Sequence, residues 1–178
     1  MNKTGFTLIE LMIGAVVLVT ALLGLLGVFT GCFGLNETAR NLTIAINGSQ
    51  QRLEEMRRHT LANFDSIVGD CSPGGSVGNT FTINNWLPAA EQGAVIYILN
   101  PQTGAILNTS PAANPGLTLY EVRITVCWRQ RGGRIIGEDN GTGAGGIALD
   151  GVLNGSEDVD GNNMLDSPAQ IITLMGQR

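Results

Sequence analysis

Residues 6–35 form a run of thirty residues with no proline and a single charged side chain, that of Glu10. A helix needs about 20 apolar residues to cross the hydrocarbon core of a bilayer. The run therefore predicts a membrane-spanning helix near the start of the chain. Lys3, which precedes it, is the only lysine of the sequence. Because positive charge stays on the cytoplasmic side, we expect the rest of the chain to lie across the membrane.

Three interpretations of this segment compete. A cleaved secretory signal has a shorter apolar core and ends in a small-x-small cleavage site, whereas the sequence contains no Ala-x-Ala. A lipoprotein signal is approximated by residues 29–32, FTGC, in which Cys32 would be lipidated, although the large Phe29 stands where a small aliphatic residue is expected. A retained membrane helix is the third interpretation, and it must account for the charge of Glu10.

The residues around Glu10 suggest why a membrane helix would contain this charge. Residues 5–12, GFTLIELM, resemble the amino terminus of type IV pilins and of type II secretion pseudopilins. The resemblance implies that residues 1–5 are a leader peptide, that prepilin peptidase cleaves between Gly5 and Phe6, and that Phe6 is then N-methylated. Glu10 would become the fifth residue of the mature chain.

The charge of Glu10 also needs a physical explanation. A carboxylate at membrane depth costs about 2.5–3.5 kcal/mol and therefore usually has a partner, yet residues 6–35 contain no basic side chain. The new α-amino group of Phe6 in a neighbouring subunit would serve as that partner, and such an ion pair sets the axial register between two helices. We therefore expect Glu10 to act in assembly.

The helix is predicted to continue beyond the apolar run as an amphipathic half over residues 36–68. Residues 69–75, which are rich in glycine, then break the helical pattern. Residues 51–58, QRLEEMRR, are similar to the same region of minor pilins of the pilus-modification group. Apolar side chains at helical spacing predict one stripe that packs on a sheet, namely Leu42, Ile46, Leu53, Met56 and Phe64.

Residues 69–178 are predicted to form a globular β head. Turn residues separate five β-rich stretches, at 79–83, 93–99, 117–129, 134–136 and 169–175. The third stretch alternates most clearly, with Tyr120, Val122, Ile124, Val126 and Trp128 on one face. One long helix followed by a small antiparallel sheet gives an α+β fold class, and the resemblance implies that it is the pilin fold.

Cys71 and Cys127 lie in the part of the chain that would be exported. An oxidising periplasm permits a disulfide there, and we expect these two cysteines to pair. Two free thiols or a metal site are the alternatives, and the metal site lacks ligands. Cys32, within the apolar run, is expected to behave as a small apolar residue.

Residues 138–166 form an acidic loop that holds seven of the fifteen acidic residues and no basic one. Its second half resembles the spacing by which an EF-hand loop presents oxygen atoms to Ca²⁺, but it lacks the glycine at the sixth position and the glutamate at the twelfth. A solvated loop rich in Asx turns is the alternative to a Ca²⁺ site. The candidate ligands are Asp158, Asp160, Asn162, the carbonyl of Met164, and Asp166.

Several classes of function are disfavoured. The net charge of −5 and the pI near 4.7 provide no basic surface for nucleic acid. The single histidine, His59, makes a histidine-based triad or a multi-histidine metal site hard to build. P-loop, GxSxG and HExxH patterns are all absent from the sequence. We therefore expect no enzymatic activity.

The sequence thus predicts a minor pilin of a type IV pilus, with a type II secretion pseudopilin or a major pilin as alternatives. Its expected partners are other pilin subunits, prepilin peptidase and the inner-membrane assembly platform. We expect a single-pass inner-membrane protein with a periplasmic head, and after assembly a cell-surface pilus or a periplasmic pseudopilus. A membrane- or lipid-anchored, Ca²⁺-dependent binding module is the alternative from another class. The expected segments are 1–5 leader, 6–35 membrane half-helix, 36–68 amphipathic half-helix and 69–178 head.

Overall fold

A computed structural model describes residues 7–62, 64–139, 149–154 and 157–177. Within these described residues, two α-helices and five β-strands follow one another, with short 3₁₀ turns at Phe64–Ser66 and Ala89–Glu91. Their bounds are α1 Leu8–Ala62, α2 Ile67–Asp70, β1 Thr80–Phe81, β2 Gln92–Leu99, β3 Leu119–Arg129, β4 Ile135–Ile136 and β5 Ala169–Gly176. The α+β fold class is confirmed. The chain divides into two compact units, Met1–Arg40 and Asn41–Arg178.

The sheet is antiparallel throughout. Its strands run in the order β1-β2-β3-β4, and β5 pairs with β3 on the side away from β2. Gln92 lies opposite Trp128 at one end of the β2–β3 ladder and Leu99 opposite Glu121 at the other. The central strand is therefore β3, which pairs with β2 along one side and with β5 and then β4 along the other.

The core of the second unit lies between α1 and the sheet. Tyr120, Val122, Ile124, Val126 and Trp128 are all buried on the face of β3 that packs against the helix, which confirms the predicted alternation. The predicted helical stripe is confirmed within α1, because Leu53 and Met56 are buried in this core and Leu42 and Ile46 pack against it. Phe64 is also buried there, but α1 ends at Ala62, before the predicted end near residue 68, and Phe64 lies in the 3₁₀ turn that follows.

The opposite face of the sheet is covered in part by the chain that precedes β5. Met164 and Leu165 are buried there against Val95, Tyr97 and Leu99 of β2. The backbone N–H of Leu165 donates to the hydroxyl of Tyr97 at 2.9 Å. The two faces of β2 thus serve two separate clusters, one under the helix and one under the acidic loop.

The predicted disulfide between Cys71 and Cys127 is not formed, and both cysteines are free and buried. Cys71 packs in the cluster beneath α1, together with Ile96 and Tyr120. Cys127 lies on the other face of β3, because it alternates with Val126 and Trp128. Burial raises the pKa of each thiol to about 12, so both are protonated and unreactive at neutral pH.

The carboxylate of Asp70 ties the end of the helical region to the loop that follows. It accepts hydrogen bonds from the Ser66 hydroxyl at 2.5 Å and the Ser76 hydroxyl at 2.7 Å. The Nε2 atom of His59 lies 2.9 Å from the same carboxylate. The Ser66 hydrogen bond, followed by that of His59, lowers the pKa of Asp70 below its ordinary value of 3.8.

Replacing Asp70 with asparagine is expected to lower the stability of the second unit by about 1–2 kcal/mol at pH 7, because charge-assisted hydrogen bonds are lost. Because the pKa of Asp70 is lowered in the folded state, ionised Asp70 stabilises the fold at any pH above the unfolded-state pKa. This contribution disappears as the pH falls through the folded-state pKa. Thermal melts between pH 2 and pH 7 should therefore show the full difference between the two proteins above about pH 4, and a difference that shrinks as the pH falls further through the lowered pKa of Asp70. Asp65→Asn, at an exposed carboxylate nearby, is the matched control; an equal loss there would contradict the assignment.

Candidate functional site

The first part of α1 is an apolar helix that is exposed on all sides. Every residue from Thr7 to Asn36 is exposed, and the large apolar side chains from Leu8 to Leu35 are between 51% and 79% exposed. An apolar stripe on one side is typical of a helix that packs on a core, whereas apolar residues all round are typical of one that is buried on every side. By length and composition this helix can cross a membrane.

The polar side chains within this apolar stretch are satisfied by the helix itself. The Thr20 hydroxyl donates to the carbonyl oxygens of Val16 and Val17, at 3.0 and 2.9 Å. The Thr30 hydroxyl donates to the Gly27 carbonyl at 2.9 Å. Back-bonding of this kind allows a hydroxyl to enter an apolar environment without an external partner. The single charge of the stretch, Glu10, has no such solution within the helix.

Glu10 also lies at the start of α1. Its backbone N–H approaches the side-chain oxygen of Thr7 at 3.4 Å and the Thr7 carbonyl at 3.1 Å. Thr7 and Glu10 have the spacing of a capping box, in which glutamate and glutamine serve equally. A negative charge in the first turn also complements the helix dipole. The spacing from Thr7 and the charge in the first turn give Glu10 a local effect on the start of the helix, which is to be separated from any role between subunits. The predicted cleavage point, Gly5–Phe6, lies outside the described residues.

The acidic loop brings three carboxylates together. Oxygen atoms of Glu138, Asp160 and Asp166 lie within 4.8 Å of one another. Asp160 and Asp166 belong to the predicted set of Ca²⁺ ligands. Glu138 was not predicted, because it lies more than twenty residues before the other two in the sequence. Glu138 and Asp166 are joined directly, since the Asp166 N–H donates to Glu138 Oε2 at 3.0 Å and the Glu138 N–H donates to the Asp166 carbonyl at 2.9 Å.

The other predicted ligands serve the loop itself. Asp158 accepts hydrogen bonds from the backbone N–H groups of Gly161, Asn162 and Asn163 at 2.8–3.0 Å. The Asn162 amide donates to Asp160 at 2.7 Å and to Asp166 at 3.0 Å, and so bridges two of the clustered carboxylates. The side chain of Met164 is buried in the sheet. Three carboxylates provide three of the six to eight oxygen atoms that Ca²⁺ takes, and Ca²⁺ binding stays a prediction.

Two buried acidic residues, which the sequence analysis did not single out, accept hydrogen bonds from backbone N–H groups within this loop. Asp139 is fully buried and accepts the N–H of Gly151 at 2.8 Å. Glu157 is also fully buried and accepts the N–H of Asn154 at 2.9 Å. Gly93 on β2 leaves the space that Asp139 and Gly151 fill, because a Cβ atom at Gly93 would collide with both. The close approach explains why β2 carries glycine at this position.

His59 does not lie in a relay of the hydrolase type. In a serine–histidine–aspartate triad the hydroxyl donates to the imidazole. Here the hydroxyls of Ser66 and Ser76 donate to the carboxylate of Asp70, which also contacts the imidazole. The arrangement connects helix and loop and leaves no hydroxyl activated by a base.

Comparison with known protein families, with curated proteins and with solved structures yields no match to this chain.

Proposed function

We propose that this protein is a structural subunit of a type IV filament, most closely a minor pilin, which is anchored in the inner membrane by the first part of α1 and assembles through it. The observation that carries the proposal is an exposed apolar helix with one carboxylate in its first turn, Glu10, continuing into a helix that forms the core of a small α+β head. The proposed activity is assembly and not catalysis.

The exposed helix needs a complete apolar environment. Soluble monomers rarely expose contiguous apolar patches of more than a few hundred Å², and the apolar side chains of residues 8–35 are exposed around the whole helix. A groove on a partner protein would cover one side only. A bilayer covers all sides before assembly, and a bundle of identical helices covers all sides afterwards. A filament subunit would occupy both environments in turn.

The carboxylate of Glu10 supports assembly in particular over simple anchoring. An anchor has no need of a carboxylate, which raises the cost of insertion. A neighbouring subunit that ends in a free α-amino group at Phe6 would neutralise this charge. A pseudopilin or a major pilin would use the same pair. The similarity of residues 51–58 to the pilus-modification group favours a minor pilin.

Processing at the amino terminus gives the direct test. In cells with an active prepilin peptidase, we expect the mature chain to begin at N-methylated Phe6. The peptidase must accommodate a small residue at the cleavage point, so Gly5→Val is expected to leave the full-length precursor. Intact mass and amino-terminal sequencing of the membrane-extracted protein measure both results. A chain that begins at lipidated Cys32, or that stays at Met1 beside an active peptidase, would instead favour the anchored binding module.

A further inference from the structure

One edge of the sheet is left open. In the described part of the chain, β5 pairs with β3 along its whole length and with no strand on its other side. The Gln177 N–H donates to the Thr118 carbonyl at 2.9 Å, so this directly opposed pair is a hydrogen-bonded one. Because bonded and non-bonded pairs alternate in an antiparallel ladder, the backbone groups of Ile171, Thr173 and Met175 face β3.

The intervening residues therefore present their N–H and C=O groups to the open edge. These are Gln170, Ile172, Leu174 and Gly176. Ile172 and Leu174 are 54% and 59% exposed. Residues 167–177 contain no charged side chain. Natural sheets protect an exposed edge with charges, bulges or very short strands, whereas β5 is eight residues long. Its unprotected edge has the properties of a site for strand addition.

The opposite edge of the sheet, beside β2, differs from the open edge of β5. There the Ile96 N–H donates to the Asn79 carbonyl at 2.7 Å, and the Leu107 N–H donates to the Ile98 carbonyl at 2.7 Å. The Asn108 side chain accepts the Ile98 N–H at 2.9 Å. The backbone of β2 is thus supplied with partners by its own chain, and β5 stands apart as the long strand with an open side.

A groove runs along the open edge between β5 and residues 46–57 of α1, with a volume of about 880 Å³. Its helical wall carries neutral amides at Asn47, Gln50 and Gln51. The two charged residues of that wall, Glu54 and Arg57, neutralise each other at 2.6 Å. An incoming chain therefore meets a wall of amides on the helix side and the exposed apolar pair Ile172 and Leu174 on the other side.

We infer that the open edge of β5 binds an extended, uncharged segment of a different protein, which adds a sixth strand to the sheet. The alternating backbone groups require a β-strand, the neutral groove excludes a charged one, and the apolar pair favours branched apolar side chains at alternate positions. The filament proposal does not require this binding.

A second copy of this chain fits less well as the occupant. The marginal strands β1 and β4 have two residues each, so only a second β5 could form a long ladder. Antiparallel pairing of two β5 strands is two-fold symmetric about an axis normal to the sheet, which would set the 41–62 parts of the two helices in opposite directions. Subunits anchored in one membrane by their amino-terminal helices need the same direction. This step alone rests on the proposed anchorage.

Amide hydrogen exchange of the full-length chain in detergent micelles, followed by NMR, tests the inference. The probe is a capped peptide of four alternating threonine–valine pairs. Saturating peptide is expected to slow exchange at Ile172 and Leu174 by about tenfold or more, while Ile171 and Thr173 are already slow without it. The same peptide with every amide N-methylated should have no effect, because it has no N–H donor left on either edge.

Two variants complete the design. Ile172→Pro removes one N–H that faces the open edge and no bond to β3, and is expected to abolish peptide protection. Ile172→Thr keeps the N–H and should retain it. Protection that rises with protein concentration without peptide would overturn the inference in favour of self-pairing, and no protection at millimolar peptide would overturn strand addition altogether. Either failure would leave the amino-terminal processing test of the filament proposal untouched.

Discussion

Replacing Glu10 with glutamine is expected to abolish incorporation of the protein into sheared filaments while leaving its membrane insertion and its fold intact. Glutamine is uncharged and so enters the membrane at lower cost. It also preserves the capping-box pattern with Thr7, so the start of α1 is not disturbed. What it removes is the proposed ion pair with Phe6 of the next subunit. Breaking a buried pair from one side costs roughly 3–5 kcal/mol, because the remaining charge is left uncompensated.

The measurement is the ratio of protein in sheared filaments to protein in the membrane fraction. Glu37→Gln is the matched control, since it removes a carboxylate from the same helix just beyond the exposed apolar stretch, and we expect normal incorporation. Glu10→Asp keeps the charge on a shorter side chain and should retain partial incorporation. Unchanged incorporation of Glu10→Gln would leave Glu10 with the local capping role alone and would contradict the proposed assembly mechanism.

The elements that a sequence predicts well are those in which each residue obeys a local period. The stripe through Leu53 and Met56 and the alternation from Tyr120 to Trp128 are set by helix and strand geometry, and the structure places these residues in the core. The predicted pairing of Cys71 with Cys127 illustrates the limit. Alternation puts Cys127 on the outer face of β3, but the position of Cys71 depends on how the chain returns after α2, which no local period determines.

The first strand is shorter than the sequence predicts, because a side chain takes the place of a neighbouring strand's backbone groups. The stretch 79–83 was expected to be a strand, and only Thr80–Phe81 pairs as one. At Ile83 the amide of Gln92 replaces the neighbouring strand, accepting the Ile83 N–H at 2.8 Å and donating to the Ile83 carbonyl at 3.2 Å. The role of Glu138 was likewise hidden, because its contact with Asp166 spans 28 positions along the chain.

Replacing Asn108 with leucine is expected to destabilise the second unit by about 3–5 kcal/mol. The Asn108 side chain is 4% exposed. It accepts the Ile98 N–H at 2.9 Å and donates to the carbonyls of Ile96 and Cys71 at 2.8 and 2.6 Å. Each buried backbone group that loses its partner costs about 1–3 kcal/mol. The loss is a large share of the 5–15 kcal/mol that is typical of a whole domain.

Asn114→Leu is the matched control, because the Asn114 amide is exposed and its oxygen accepts only the Gly116 N–H at 3.2 Å; a change within about 0.5 kcal/mol is expected there. Chemical denaturation of the full-length chain, followed by the combined fluorescence of Trp86 and Trp128, compares the two variants. A loss for Asn108→Leu as small as that of the control would mean that these carbonyls have other partners once the amide is gone. A large and selective loss would mean that one side-chain amide joins the end of the helical region, at Cys71, to the outer side of β2 at Ile96 and Ile98.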